Sequence, residues 1–382
     1  MKIVLKRTDE QVELIKALAS KNREVAYDAQ VALAEFIGPV LAEVVNNAPT
    51  ISNLFTGLQF NAEDNPSIPL DLYYDVFDED YIKVYSQSVA GGLPQNVVQP
   101  TASELKIATY RLDSAVAFDK KYAAKSRLDV VSKSFTRIAQ EVMLKQERTS
   151  ANLVMTALAN ASTNGAKHVI RSASENSFIL NDLNKLFTKI KRINSSFVGG
   201  TPSGARRGLT DLIVSPEIVE EIRGMAYNPI NTKAPDGTAP AHGDGAGIPA
   251  TDEVRNQVFS QAGLPEFFGV SIMEILEFGV GKKFNTIFDT VAGSTTYDDH
   301  YVTNQYSGSA NAFESDEEIV VGLDRSRDSL IRAVAVDSDT GSEFNLQADD
   351  QYTLRQNKIG YFGALEEGRM VLDSRALVGL IV

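Results

Sequence analysis

No Pro or Gly interrupts the chain between Ser126 and Asn160, and this stretch limits the fold more than any other. At 1.5 Å per residue, about 35 helical residues make a rod of roughly 50 Å. Ordinary globular helices run about 8–20 residues. Leu128, Val131, Phe135, Ile138 and Val142 recur at spacings of three and four, which places them on one stripe. Lys145 and Thr149 interrupt that stripe, so the sustained heptads of a coiled coil are missing. Ser126-Arg127-Leu128-Asp129 reads as a capping box with Ser126 as N-cap.

A two-stranded ribbon leads into this helix, over about residues 77–118. On its first arm Tyr81, Lys83 and Tyr85 alternate with Ile82, Val84 and Ser86. The tip, Ala90-Gly91-Gly92-Leu93-Pro94-Gln95-Asn96, has turn chemistry. The return arm, Glu104 to Phe118, alternates again, with Leu105 and Ile107 on one side and Glu104 and Lys106 on the other. A lone ribbon of this length is marginal in water because neither face has anything to bury against. Its cover is therefore expected from outside the ribbon, which points to assembly.

Composition removes most chemistries. The 382 residues suffice for two or three lobes with proper cores. With no Cys, there is no disulfide, thiolate nucleophile or zinc-thiolate site. The three histidines, His168, His242 and His300, lie far apart beside loop-like sequence and are expected at the surface without a catalytic role. No apolar run reaches the ~20 residues of a membrane span. Met1-Lys2-Ile3-Val4-Leu5 is ended by Lys6 and Arg7, too short for a signal peptide, so a cytoplasmic protein is expected. A net charge of −13, from 50 acids against 37 bases, argues against a nucleic-acid reader. The strongest basic cluster read from the sequence is Lys185, Lys189, Lys191 and Arg192. It lies on a helix from Asn181 to Asn194 whose apolar side is Leu183, Leu186, Phe187 and Ile190, so those bases are a solvated face.

Elsewhere, residues 1–48 are largely helical, starting at a capping box in Thr8-Asp9-Glu10-Gln11. Gly38-Pro39 is expected to kink or break that region. Gly199-Gly200-Thr201-Pro202-Ser203-Gly204 reads as a hinge. Leu209 to Val214 reads as a buried strand, and Ser215-Pro216-Glu217 as a helix start with Pro at its first position. Residues 228–252 form a long Pro- and Gly-rich loop, and the chain is strand-rich from Glu317.

Four small constellations bear on chemistry. Gly243-x-Gly245-x-Gly247 lies inside a Pro-rich loop and lacks the third glycine of a dinucleotide fingerprint. Asp337 to Glu343 alternates carboxylates like a calcium loop, yet its glycine falls one place early, so a turn is expected. Asp298-Asp299 and Glu317-Glu318 are adjacent acids, and adjacent strand residues point to opposite faces. Gly204-Ala205-Arg206-Arg207-Gly208 reads as a solvated linker end. No catalytic, cofactor-binding or metal residue is assigned.

Several segments, in order, carry a resemblance: Asp211-Leu212-Ile213-Val214-Ser215-Pro216, then Leu264-Pro265-Glu266-Phe267-Phe268-Gly269-Val270-Ser271-Ile272 and Gly281-Lys282-Lys283-Phe284-Asn285-Thr286-Ile287-Phe288-Asp289. Ile319-Val320-Val321-Gly322-Leu323-Asp324 and Arg355-Gln356-Asn357-Lys358-Ile359-Gly360-Tyr361-Phe362-Gly363 follow. Together these resemble the major capsid proteins of tailed bacteriophages, a family sharing its shell fold with encapsulins and the herpesvirus capsid floor. The order of parts over nearly the whole chain is what resembles the family.

The resemblance implies an α+β capsid fold with a helical N-terminal arm (1–50) and a connector with an extended hairpin loop (51–118). It implies a peripheral domain with a spine helix (119–198), an axial domain (199–342), and terminal strands returning to the peripheral domain (343–382). It implies a structural protein whose copies form hexamers and pentamers of an icosahedral head around double-stranded DNA. A separate scaffolding protein, a portal and a decoration protein are the implied partners, with no cofactor, no membrane, assembly in the host cytoplasm and a place in the virion. Tyr81, Tyr85 and Leu105 on the hairpin, with Phe36 and Leu41 on the arm, are the side chains expected under neighbouring subunits. The acidic balance suits a wall that repels packaged DNA. The alternatives are an encapsulin-like compartment enclosing an enzyme and, more remotely, a carboxylate hydrolase with a divalent cation.

Overall fold

A computed structural model of the chain describes residues 8–46, 50–61, 65–69, 104–163, 166–172, 176–193, 208–227, 266–267, 269–292, 316–337, 341–349 and 357–382. It divides into two compact units. The first comprises Met1–Leu72, Gln99–Ser150 and Leu330–Met370, and the second Tyr73–Val98, Ala151–Ser329 and Val371–Val382.

The first unit opens with helices α1 (Asp9–Leu18) and α2 (Arg23–Asn46). Thr8 caps α1, its hydroxyl accepting from Gln11 N at 3.4 Å. α2 runs through Gly38 and Pro39, so of the expected kink or break the break does not occur. Pro39 and Glu35 both lie exposed, so water can serve the Glu35 carbonyl that loses its donor, while Leu33, Ile37 and Leu41 anchor both sides of the proline in the core. Strands β1 (Thr56–Asn61), β2 (Ser67–Pro69), β3 (Glu104–Lys106) and β4 (Thr109–Asp119) follow. After them come α3 (Lys120–Ala124) and the spine helix α4 (Leu128–Asn160), 33 residues long, of which the part up to Ser150 belongs to this unit.

Ser126 is not the N-cap of the spine. It has φ +51° and stands just past α3, with Ser126 N bonded to Ala123 O (2.9 Å) and Arg127 N to Tyr122 O (2.9 Å). That pair of bonds is a Schellman termination. The residue read as a start is the stop of the preceding short helix.

The unit's five-stranded sheet adds β12 (Leu330–Val336), β13 (Asn345–Asp349) and β14 (Lys358–Val371) in the order β1-β12-β14-β13, with β4 also on β14. The return arm of the ribbon therefore has a partner far away in sequence. β4 pairs antiparallel with β14 along its whole length, from Asp119↔Lys358 to Thr109↔Gly368, while β3 pairs with β2. The first arm, including Tyr81 and Tyr85, lies outside the described residues. Val131, Phe135, Ile138 and Val142 of the spine are buried against Ile15 and Leu18, the α2 stripe, and Ile359, Tyr361 and Leu365 of β14. The Phe135 ring meets Tyr361 edge-on at 5.2 Å, and Phe118 stacks on it at 6.2 Å.

The second unit contains the last turns of α4 and six strands. β7 (Val169–Arg171), β8 (Asp211–Val214), β9 (Glu266–Phe267), β10 (Val270–Glu274), β11 (Ile319–Leu323) and β15 (Leu377–Ile381) form one sheet ordered β7-β15-β11-β8-β10-β9. A small hairpin, β5 (Ser162–Thr163) with β6 (Ala166–Lys167), stands apart. β8, β11 and β15 are buried at every position, as their continuous apolar runs require. Helices α5 (Leu180–Ile193) and α6 (Pro216–Tyr227) cover the sheet with Leu183, Leu186, Ile190, Ile218, Val219 and Ile222. Ser215 caps α6, accepting from Ile218 N at 3.2 Å, one place before Pro216. Helix α7 (Lys283–Ala292) ties into the edge of β11: Asn285 donates to Glu317 O at 2.7 Å and accepts from Ile319 N at 3.0 Å.

Candidate functional site

In β14 every second residue faces inward. Ile359, Tyr361, Gly363 and Leu365 keep that face apolar, and the same parity then delivers Glu367 and Arg369 to the interior. Glu367 is 0% exposed. Its Oε1 accepts from the Tyr110 hydroxyl of β4 at 2.7 Å and from Arg369 Nε at 3.2 Å. Its Oε2 accepts from Gln146 Nε2 of the spine at 3.0 Å, Arg332 Nε of β12 at 2.9 Å and Arg369 Nη2 at 3.0 Å. Arg369 donates onward to Ser150 Oγ at 2.6 Å and to Ser52 Oγ at 2.7 Å, with its guanidinium 5.3 Å from the Phe55 ring centre. Next to it, the Glu147 carboxylate accepts from Ile51 N at 3.1 Å.

Burial alone would raise the Glu367 carboxyl, but the Arg369 guanidinium, seconded by Arg332 and the Tyr110 hydroxyl, outweighs it and holds the group below its ordinary range. Burial, with the Glu367 charge, pushes Tyr110 up to about 12. Both carboxylate oxygens of Glu367 are thus committed to donors of the protein itself. The cluster is a clamp that fixes the start of β4 to the spine, to two strands and to the turn Ile51–Leu54. Gly368 lets the ribbon root pass close: a Cβ there would stand 2.7 Å from Ala108 O.

The sequence-expected contact residues are scattered. Leu105 is half-buried opposite Ile68 on the β2–β3 pair. Phe36 is 55% exposed on α2, and Leu41, 1% exposed, packs into the core of its own unit. His242, His300, Arg206, Arg207, Gly243 to Gly247 and Asp298-Asp299 lie outside the described residues.

His168, expected at the surface, is fully buried in the second unit. Its Nδ1 faces two carbonyls, Ser374 O at 3.0 Å and Leu377 O at 3.1 Å, so Nδ1 carries the proton. Burial, with Lys189 nearby, pushes the ring down to about 4 against the pull of those carbonyls. Lys185 of the expected solvated face bonds Asp182, 3.0 Å away and buried. Glu317 and Glu318 do diverge. Glu317 pairs with Arg171, while Glu318 bonds the Ser215 hydroxyl and is pushed up by burial and by Glu217 and Glu221. Of the expected turn between Asp337 and Glu343, residues 338–340 lie outside the described residues; Gly341 stands at φ +63° with its N–H on Asp337 O at 2.9 Å. Among the described residues no group of three or more His, Asp or Glu could hold a metal ion.

No protein-family model and no curated protein matches the chain. Solved structures do. The capsid of a native GTA particle is similar at 10% identity and TM-score 0.48, over 87% of this chain and 89% of that one. The capsid of cyanophage P-SCSP1u is similar at 12% identity and TM-score 0.46, over 86% of each chain. The SrpI encapsulin complex of Synechococcus elongatus PCC 7942 is similar at 11% identity and TM-score 0.38, over 73% and 76%. The chain resembles capsid and encapsulin shells.

The clamp was missed by sequence reading, although one signal for it was present. Glu367 and Arg369 share the parity of Ile359, Tyr361 and Leu365. A charged pair continuing the core-facing register of a strand has to be neutralised from another element.

Proposed function

We propose that the chain is the major structural protein of a tailed-phage head, many copies closing into an icosahedral shell around double-stranded DNA. It acts by assembly and not by catalysis. The observation that carries this reading is the anchored ribbon root. A buried ionic cluster, together with eleven paired positions of β4 on β14, fixes the chain close to where residues 70–103 are inserted. A root so firmly held serves a segment that must meet something outside its own unit, and the alternating Tyr and Ile of residues 81–85 supply apolar faces for it to bury. The order of parts in the sequence supports the same reading.

Further copies in hexamers and pentamers, a scaffolding protein, a portal and a decoration protein are the partners this reading requires, with the virion as the final location. Negative-stain electron microscopy of the purified chain, alone and with its scaffolding protein, tests it. Closed shells or capsomer rings are expected. A discrete small particle under both conditions would sink the reading. Protein cargo in place of DNA inside purified shells would turn it into a compartment.

A further inference from the structure

Helices α2 and α4 turn opposite charges to solvent. At about 100° per residue, Glu24, Asp28 and Glu35 follow one edge of the outward face of α2, and Val25 and Phe36 follow the other. All five are exposed, Val25 by 44% and Phe36 by 55%. On the outward face of α4 stand Lys133, Arg137, Lys145 and Arg148, all exposed, around half-buried Leu144. Glu141 is the one acid among them. Among the described residues none of the four cations makes an ion pair. This basic face belongs to a chain of net charge −13.

The two faces cannot satisfy each other within one copy. The opposite sides of both helices, Leu33, Ile37 and Leu41 on α2 and Val131, Phe135 and Ile138 on α4, share a single core, so the charged sides face away from it. The faces match in length, about 22 Å from Lys133 to Arg148 and about 18 Å from Glu24 to Phe36. We propose that α2 of one copy docks on the outward face of α4 of another, its carboxylates meeting Lys133, Arg137, Lys145 and Arg148 while Phe36 and Val25 cover Leu144. The inference rests on the shell reading and names the faces by which copies meet. Because the faces differ, the contact is head-to-tail and can close into rings. The apolar contact supplies the burial, and the charges select the partner and its register. Nucleic acid would also suit the four cations, but it would leave Phe36, Val25 and the acidic row of α2 without a partner.

The absence of Cys makes the test direct. Glu35→Cys and Arg137→Cys are made in separate copies, both at exposed positions, then mixed and treated with a short bismaleimide. Mixed dimers are expected, and none from either variant alone. In a second arm, Asp28→Lys with Glu35→Lys slows assembly about tenfold, and adding Lys133→Glu with Arg137→Glu to the same chain restores it. Shells that form without mixed crosslinks overturn the docking and leave the shell reading standing. Mixed crosslinks in a sample that never forms shells keep the docking and overturn the shell reading. A short DNA duplex bound by the wild type and released by Arg137→Glu, without the crosslink, would give this face of α4 to nucleic acid and overturn the docking.

Discussion

Tyr361 is almost entirely buried, and its hydroxyl has no hydrogen-bond partner among the described residues. Burial accordingly pushes its ionisation far up. A buried hydroxyl without a partner forfeits the bonds it made to water. Tyr361→Phe keeps both ring contacts and removes the orphan, so it should stabilise the first unit by about 1 kcal/mol, read as a raised denaturation midpoint followed by far-UV circular dichroism. His168 acts in the opposite direction on pH. Its folded-state value, about 4, lies below the 6.5 of the unfolded chain, so the unfolded chain binds the extra proton between those values. The stability it contributes is complete above pH 6.5 and is lost as pH falls toward 4. The loss amounts to about 3 kcal/mol. His168→Asn should flatten the pH dependence in that window, and an unchanged slope would assign it to other groups.

Among elements, the spine and the sheet it crosses depend on one carboxylate. Glu367→Gln keeps the shape but leaves Arg332 and Arg369 buried without their counter-charge. Breaking a buried pair in this way costs about 3–5 kcal/mol, so a fall of that size in denaturant stability is expected. A change under about 1 kcal/mol would show that water reaches the guanidinium groups and that the clamp is weaker than its geometry. The elements also show what the sequence could and could not disclose. The stripe of α4, the cap at Thr8, the Ser215-Pro216 start and the amphipathic α5 were all legible, because each is a local pattern read within one or two turns. The partner of β4 was not, since nothing in Thr109–Asp119 names a strand some 250 residues later. Ser126 misled because a serine followed by an acid three residues on suits a helix start, while the left-handed turn ending α3 depends on bonds the pattern does not contain. The basic face of α4 was overlooked because its cations are spread over four turns instead of standing side by side as in Lys189-x-Lys191-Arg192.

At the scale of the molecule, the parity of β14 could have revealed the clamp, whereas the burial of His168 depends on two carbonyls some 200 residues on. Each compact unit is assembled from separated stretches of chain, a grouping that no local pattern contains. That grouping has a consequence for synthesis. The first unit lacks its central strand until β14 is made, and the second lacks β15, which lies between β7 and β11, until residue 381. At about 5–20 residues per second, the arm and spine exist for tens of seconds on the ribosome without a completed core. A nascent chain therefore has no finished surface to offer its neighbours on the same messenger. Self-association has to wait until β14 and β15 have been made, which separates beginning the subunits from joining them.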